Sequence, residues 1–189
     1  MMRPYSFIPA ALVAVLTLGA CSGASSNAGS TSTTNAVRLS SPSWETAKPY
    51  PSKSAKMICQ AEVRGEILSG LKVKETRVVP AWDKTQHVFS CTYIYQRGKI
   101  VVSVKEMSNE QETTAYYEAM KTKYGTMQQL FGLAQGAFVL KNEDVVARKD
   151  YKVLHVDVHG IPADFAQGYH RSAVALQIAT VIMACWTGA

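Results

Sequence analysis

Apolar residues follow several different patterns along the chain. From Phe7 to Leu18 they form a nearly continuous run, broken by Pro9 and Thr17. That run is about a dozen residues, against the roughly 20 that a membrane-spanning helix needs. From Ser22 to Ser43 the sequence SGASSNAGSTSTTNAVRLSSPS holds only Val37 and Leu39 as large apolar residues. After it the pattern becomes periodic. Val63, Ile67 and Leu71, with Leu68 beside them, have helical spacing and predict a helix over Met57 to Leu71, with Ser54 as its cap. Lys74 to Val79 reads as a strand stopped by Pro80, and Trp82 to Gln86 as a turn. HVFSCTYIY (87–95) and KIVVSVKE (99–106) are rich in β-branched and aromatic residues. Gln96-Arg97-Gly98 separates them, so they predict a hairpin. Ser108-Asn109-Glu110-Gln111 has the form of a capping box and opens a helix over Asn109 to Tyr124, closed by Gly125. Gln128 to Gly136 reads as a loop with an apolar knot at Leu130, Phe131 and Leu133. Three strands follow at 137–140, 145–149 and 152–159, then a loop over 160–168. HRSAVALQIATVIMACW (170–186) is apolar enough to predict a buried core helix.

Helix, strands, helix, strands, helix with short links implies an α+β fold: an antiparallel sheet with helices packed mainly on one face. The polar segment before it cannot bury enough surface to offset its own ordering and predicts a disordered tether. The expected organisation is a leader over 1–20, a tether over 21–54 and one folded domain over 55–189.

The end of the first apolar run assigns an address. Met1, Met2 and Arg3 make a short positive start, and Leu18-Gly19-Ala20-Cys21 resembles the bacterial lipobox. That resemblance implies cleavage before Cys21, a diacylglycerol on its sulfur and localisation on the outer face of the cell membrane. Each buried methylene of such chains contributes ~0.8 kcal/mol, and two or three chains anchor stably. Losing residues 1–20 removes one base and no acid from 20 basic and 14 acidic residues, which leaves a net charge of about +5. This mild excess suits a surface near anionic lipid or wall polymers. No Lys/Arg cluster with interleaved aromatics points to nucleic acid.

Further resemblance lies in four short words: Ile58-Cys59, Ser90-Cys91-Thr92-Tyr93, Arg148-Lys149-Asp150-Tyr151 and Cys185-Trp186-Thr187-Gly188. Through them the chain resembles small actinobacterial cell-envelope lipoproteins of unknown function. More distantly, its layout is similar to extracellular sensor domains of mycobacterial receptor kinases. The resemblance implies address and fold and supplies no catalytic residue.

Export places Cys59, Cys91 and Cys185 in an oxidising compartment, where at most one bridge forms among the three. Cys59–Cys91 is the expected pairing, tying the first helix to the hairpin. Cys59–Cys185, across antiparallel first and last helices, is the alternative. The absence of C-x-x-C argues against a thioredoxin-like site.

One group of residues suits metal chemistry. In HVDVH, alternation puts His155, Asp157 and His159 on one side of a strand, an acceptable zinc or copper ligand set, with His170 as a fourth ligand. Alternation alone also produces such a polar face. G-x-S-x-G, H-E-x-x-H and a phosphate loop are missing. The expectation is therefore a non-enzymatic, lipid-anchored binding or sensing module with no cofactor, whose partner is an envelope protein or glycan. A metal-binding protein built on the HVDVH face is the alternative.

Overall fold

The computed structural model describes residues 50–166 and 168–186. Cys21, the leader and most of the tether lie outside these residues. The elements in chain order are α1 (Lys53–Lys56), a 3-10 turn (Met57–Cys59), α2 (Ala61–Leu71), β1 (Arg77–Asp83), β2 (Val88–Tyr95) and β3 (Gly98–Glu106). They continue with α3 (Glu110–Tyr124), β4 (Thr126–Leu130), β5 (Ala137–Leu140), β6 (Val145–Lys149), β7 (Lys152–Asp157) and α4 (Arg171–Cys185).

The seven strands form one sheet in the order β1-β2-β3-β7-β6-β5-β4. All six pairings are antiparallel. The sheet is thus two meanders, β1–β3 and β4–β7, joined where β3 meets β7. The α+β class with an antiparallel sheet stands as expected. Most of the helical packing lies on one face, where Val63 and Ile67 of α2 and Val174, Ile178 and Ile182 of α4 bury against Tyr93, Val102, Val104, Leu154 and Val156. The α3 helix takes the other face, covering Phe138, Leu140, Val146 and Val153 with Tyr117 and Met120. The β1–β3 half of that face carries small and β-branched residues, among them Val79, Thr92, Val101, Ser90 and Ser103, together with charged Arg77, Asp83, Lys99 and Lys105.

Several local expectations shift. The first helix opens earlier, with Ser52 accepting the Ala55 N–H at 3.1 Å, and Ser54 lies inside it. It then breaks at Gln60, whose backbone is extended. Here the chain is held to the sheet: Cys59 is bonded to Cys91 of β2 with Cα atoms 5.6 Å apart, and the Tyr93 hydroxyl donates to the Ile58 carbonyl. The Cys59–Cys91 pairing is therefore the one that forms, and Cys185 is a buried thiol. Pro80 does not stop β1, because an edge strand tolerates a residue without an N–H. The helix cap at 109 is Asn109 rather than Ser108. Asn109 Oδ1 accepts the Glu112 N–H at 2.8 Å, and Glu112 reaches back to the Ser108 N–H at 3.0 Å. Part of the loop expected over 128–136 is strand β4, which pairs with β5.

Gly98 is a position where only glycine fits. Its φ is +129°, and an added Cβ would lie 2.0 Å from the Gly160 carbonyl oxygen. That carbonyl accepts the Lys99 N–H at 2.9 Å, so the β2–β3 turn is packed directly onto the loop after β7.

Ile178, 1 % exposed, sits in the middle of the principal core. Ile178→Ala is expected to cost ~2–5 kcal/mol in urea unfolding, and Gly98→Ala is also expected to lower the midpoint. A loss below ~0.5 kcal/mol for Ile178→Ala, the size of a surface substitution, would place α4 outside the core.

Candidate functional site

The HVDVH strand does place His155 and Asp157 on one side, as alternation requires, while Leu154, Val156 and Val158 enter the core. It does not bring His155, Asp157 and His159 to one point. Same-face residues of a strand are two rises apart, about 6.7 Å, whereas residues opposite each other on paired strands stand about 4.5–5.5 Å apart. The neighbour of Asp157 therefore comes from the residue just before β6. The two-residue turn Asp150-Tyr151, both residues at positive φ, sets the β6–β7 register from Lys149↔Lys152 to Val145↔Val156. One step further, it sets Asp144 against Asp157.

Asp144 is the centre of the arrangement and is 1 % exposed. The tight turn before β6 aims it: Leu140 N–H donates to the Asp144 carbonyl at 2.8 Å, Glu143 sits at φ 72°, and Asn142 Nδ2 donates to Asp144 Oδ2 at 3.0 Å. Asp144 Oδ1 accepts the Val158 N–H at 3.0 Å. His155 Nε2 lies 2.8 Å from Asp144 Oδ2. His159, in the turn past the end of β7, folds back so that Nδ1 is 3.0 Å from Asp157 Oδ1 and 3.4 Å from Asp144 Oδ1. Glu143 and Arg171 close the rim, with Nε 2.7 Å from Oε2 as a close ion pair rather than an aligned hydrogen bond.

Among the described residues, Asp144, Asp157 and His159 make up the metal-capable group, with ligand atoms within 4.8 Å of one another. The expected trio of His155, Asp157 and His159 does not come together: Asp144 joins Asp157 and His159, and His155 meets the other oxygen of the Asp144 carboxylate. His170 is not part of the group. It stands at the N-cap position of α4, where its side chain makes no capping hydrogen bond, and lines a cleft with Arg97, Asp164 and Tyr169. Tetrahedral ligands at about 2.0–2.2 Å from a divalent cation stand about 3.4 Å from one another, close to the 3.0 and 3.4 Å found here. The hydrogen bonds of the Val158 N–H and His155 to Asp144 meanwhile clasp the end of β7 to the β5–β6 turn.

A second concave region flanks Arg97 in the β2–β3 turn. On one side is a cleft of about 430 Å³ with Lys72, Lys74 and Glu75 at its rim and Tyr95 and Phe165 in its wall. On the other is a cleft of about 520 Å³ reaching Tyr169 and His170. Arg97 is held between them by Asp164 Oδ1 at 2.6 Å, and that hydrogen bond keeps the Asp164 carboxyl below the usual carboxylate range. Glu75 is already committed to Arg64 at 2.7 Å, which leaves the Lys72 and Lys74 side of the first cleft with an excess of positive charge.

No protein-family model, no curated protein and no solved structure matches the chain.

Removing the central carboxylate should expose its structural share. Asp144→Ala leaves the buried Val158 N–H and the His155 ring without their acceptor, so the expected loss is about 1–3 kcal/mol, with faster hydrogen exchange at the Val158 amide. Unchanged exchange there would mean that the end of β7 is held by the sheet alone.

Proposed function

We propose that this chain is an exported, lipid-anchored, non-catalytic binding domain of the cell envelope. The observation that carries this reading is the polarity of the domain. Ser52, two residues past the first described residue, donates its N–H to Glu106 at the C-terminal end of β3, and Glu106 pairs with Lys152 at the start of β7. The chain thus comes into the domain at that end of the sheet. The Arg97 clefts and the Asp144 cluster belong to the opposite end, at the β2–β3 turn, the β5–β6 turn and the end of β7. A domain tethered at one end and carrying its polar concavities at the other is arranged to hold them away from an anchoring surface. The Cys59–Cys91 disulfide supports an oxidising compartment, and the lipobox supplies the anchor at Cys21. The decisive experiment is fractionation of cells making Cys21→Ala. The expected outcome is loss of labelled acyl chains and release from the membrane fraction. A variant that still pellets and still carries acyl chains would end the reading.

A second reading is favoured by the convergence of Asp144, Asp157 and His159: a site for a divalent cation such as zinc, with His155 as the residue that orients Asp144. Zinc titrated into the metal-stripped chain by calorimetry is expected to bind at one ion per chain. His159→Ala removes a ligand and is expected to weaken binding at least ~10-fold, and His155→Ala by about 10–100-fold as an outer-shell change. Equal affinity in the parent and both variants would exclude the cluster as the site.

A further inference from the structure

The exposed apolar side chains of the β4–β5 hairpin belong to neither site. Phe131, just after β4, is 91 % exposed, and Met127 within β4 is 53 % exposed. Half-buried Leu130 and Leu133 flank the tip. The loop is fixed at its base, where the Gln135 N–H donates to the Arg148 carbonyl at 3.1 Å, but its tip is open: Gly132 has φ +77°, and an added Cβ there would meet nothing within 4 Å. The whole segment 126–140, TMQQLFGLAQGAFVL, contains no charged residue and no histidine. The sheet's other edge differs, since β1 carries Arg77, Pro80 and Asp83.

The position of the tip gives it meaning. Leu130 at the end of β4 is registered with Ala137, Ala137 with Ala147, Lys149 with Lys152 and Lys152 with Glu106. Phe131 therefore lies at the same end of the sheet as Ser52, where the chain comes in from the tether. We propose that the β4–β5 tip is a lipid-contacting wedge, with Phe131 inserting at the bilayer surface and setting that end of the domain against the membrane. The proposal rests on the anchored reading above for its proximity to lipid. One aromatic side chain binds a bilayer weakly, but a tether makes the contact intramolecular, at an effective concentration on the order of millimolar. Pairing of the β4 edge with a second copy is disfavoured by the bulge between Thr126 and Gln128, a device that turns an edge away from strand addition.

The test uses the full acylated chain in phosphatidylcholine vesicles whose acyl chains carry a photoactivatable diazirine. After illumination and trypsin, label is expected in the peptide spanning 124–141. Phe131→Asp, at an exposed position that leaves the melting temperature unchanged, is expected to lower that label at least ~10-fold. An unlabelled 124–141 peptide beside an acylated Cys21 overturns the wedge and leaves the anchor intact. Crosslinks between two copies at this peptide that rise with protein density, without lipid label, also overturn it. An unmodified Cys21 ends the anchor reading alone. The wedge is then decided on the chain mixed with the same vesicles at millimolar lipid, and absence of label there overturns it.

Discussion

Strand β3 meets β7 from Val101↔Asp157 to Glu106↔Lys152, and this seam joins two meanders that would otherwise be separate. Each meander is built from local turns, but the seam closes a loop of about fifty residues, whose entropy must be offset before the sheet exists. What offsets it is burial on both sides of the junction. Val102 and Val104 of β3 and Leu154 and Val156 of β7 share one core with α2 and α4. The α3 helix, which carries the chain from the end of β3 to the far edge of the sheet, packs Tyr117 and Met120 on the other face. Moving the seam by one residue would turn His155 and Asp157 into the core and Leu154 and Val156 out of it. The register of this pairing therefore fixes both the core and the polar cluster.

Coverage of the two faces is unequal, and the chain near Cys59 shows how the asymmetry is held. Gln60 interrupts the helix at the point where the disulfide and the Tyr93 hydroxyl bind the 3-10 turn to β2. A single straight helix over the same residues would have to meet β2 and α4 along one axis. The break lets the 3-10 turn lie on β1 and β2 while α2 packs beside α4. Among the described residues no helix packs over the middle of the opposite face of β1–β3, where small and β-branched rows, Val79 beside Thr92 and Val101 and Ala81 beside Ser90 and Ser103, are flanked by rows that carry Arg77, Lys99, Asp83 and Lys105.

Strands with one covered face were legible, and strands with two were legible in a different way. In β2 and β3 apolar and polar residues alternate, and burial alternates with them. In β5 the run AFVL is buried throughout, as is VVA at the start of β6, because α4 and α3 cover the two faces of that half. Continuous apolar runs of this kind are the mark of a doubly covered strand, and they carried the information that α3 must cross to the other face. Strand β4 escaped because TMQQL has neither alternation nor an apolar run, and only pairing with β5 makes it a strand. The site was half legible. His155 and Asp157 follow from alternation, but Asp144 lies one residue before β6 and enters only when the pairing is counted back from the two-residue turn at Asp150-Tyr151. Once that turn is granted two residues, Asp144 opposite Asp157 follows from counting.

Asp144 also shows why polar function and fold are hard to separate at this end of the molecule. A carboxylate this buried is costly unless its oxygens are satisfied, and here they meet a side-chain amide, a backbone N–H and imidazole nitrogens. Oδ2 is held by Asn142 and His155, both on the inner side of the cluster. Oδ1 faces Val158 and the more exposed His159, whose other partner is Asp157. A cation entering from solvent would therefore displace only the contacts between His159, Asp157 and Oδ1. It would leave the inner half, with Asn142, His155 and the Val158 N–H, to hold the turn in place. The arrangement is asymmetric in the sense a binding site needs: a fixed inner half set by the fold and an outer half that can exchange its partner without unmaking the strand that carries it.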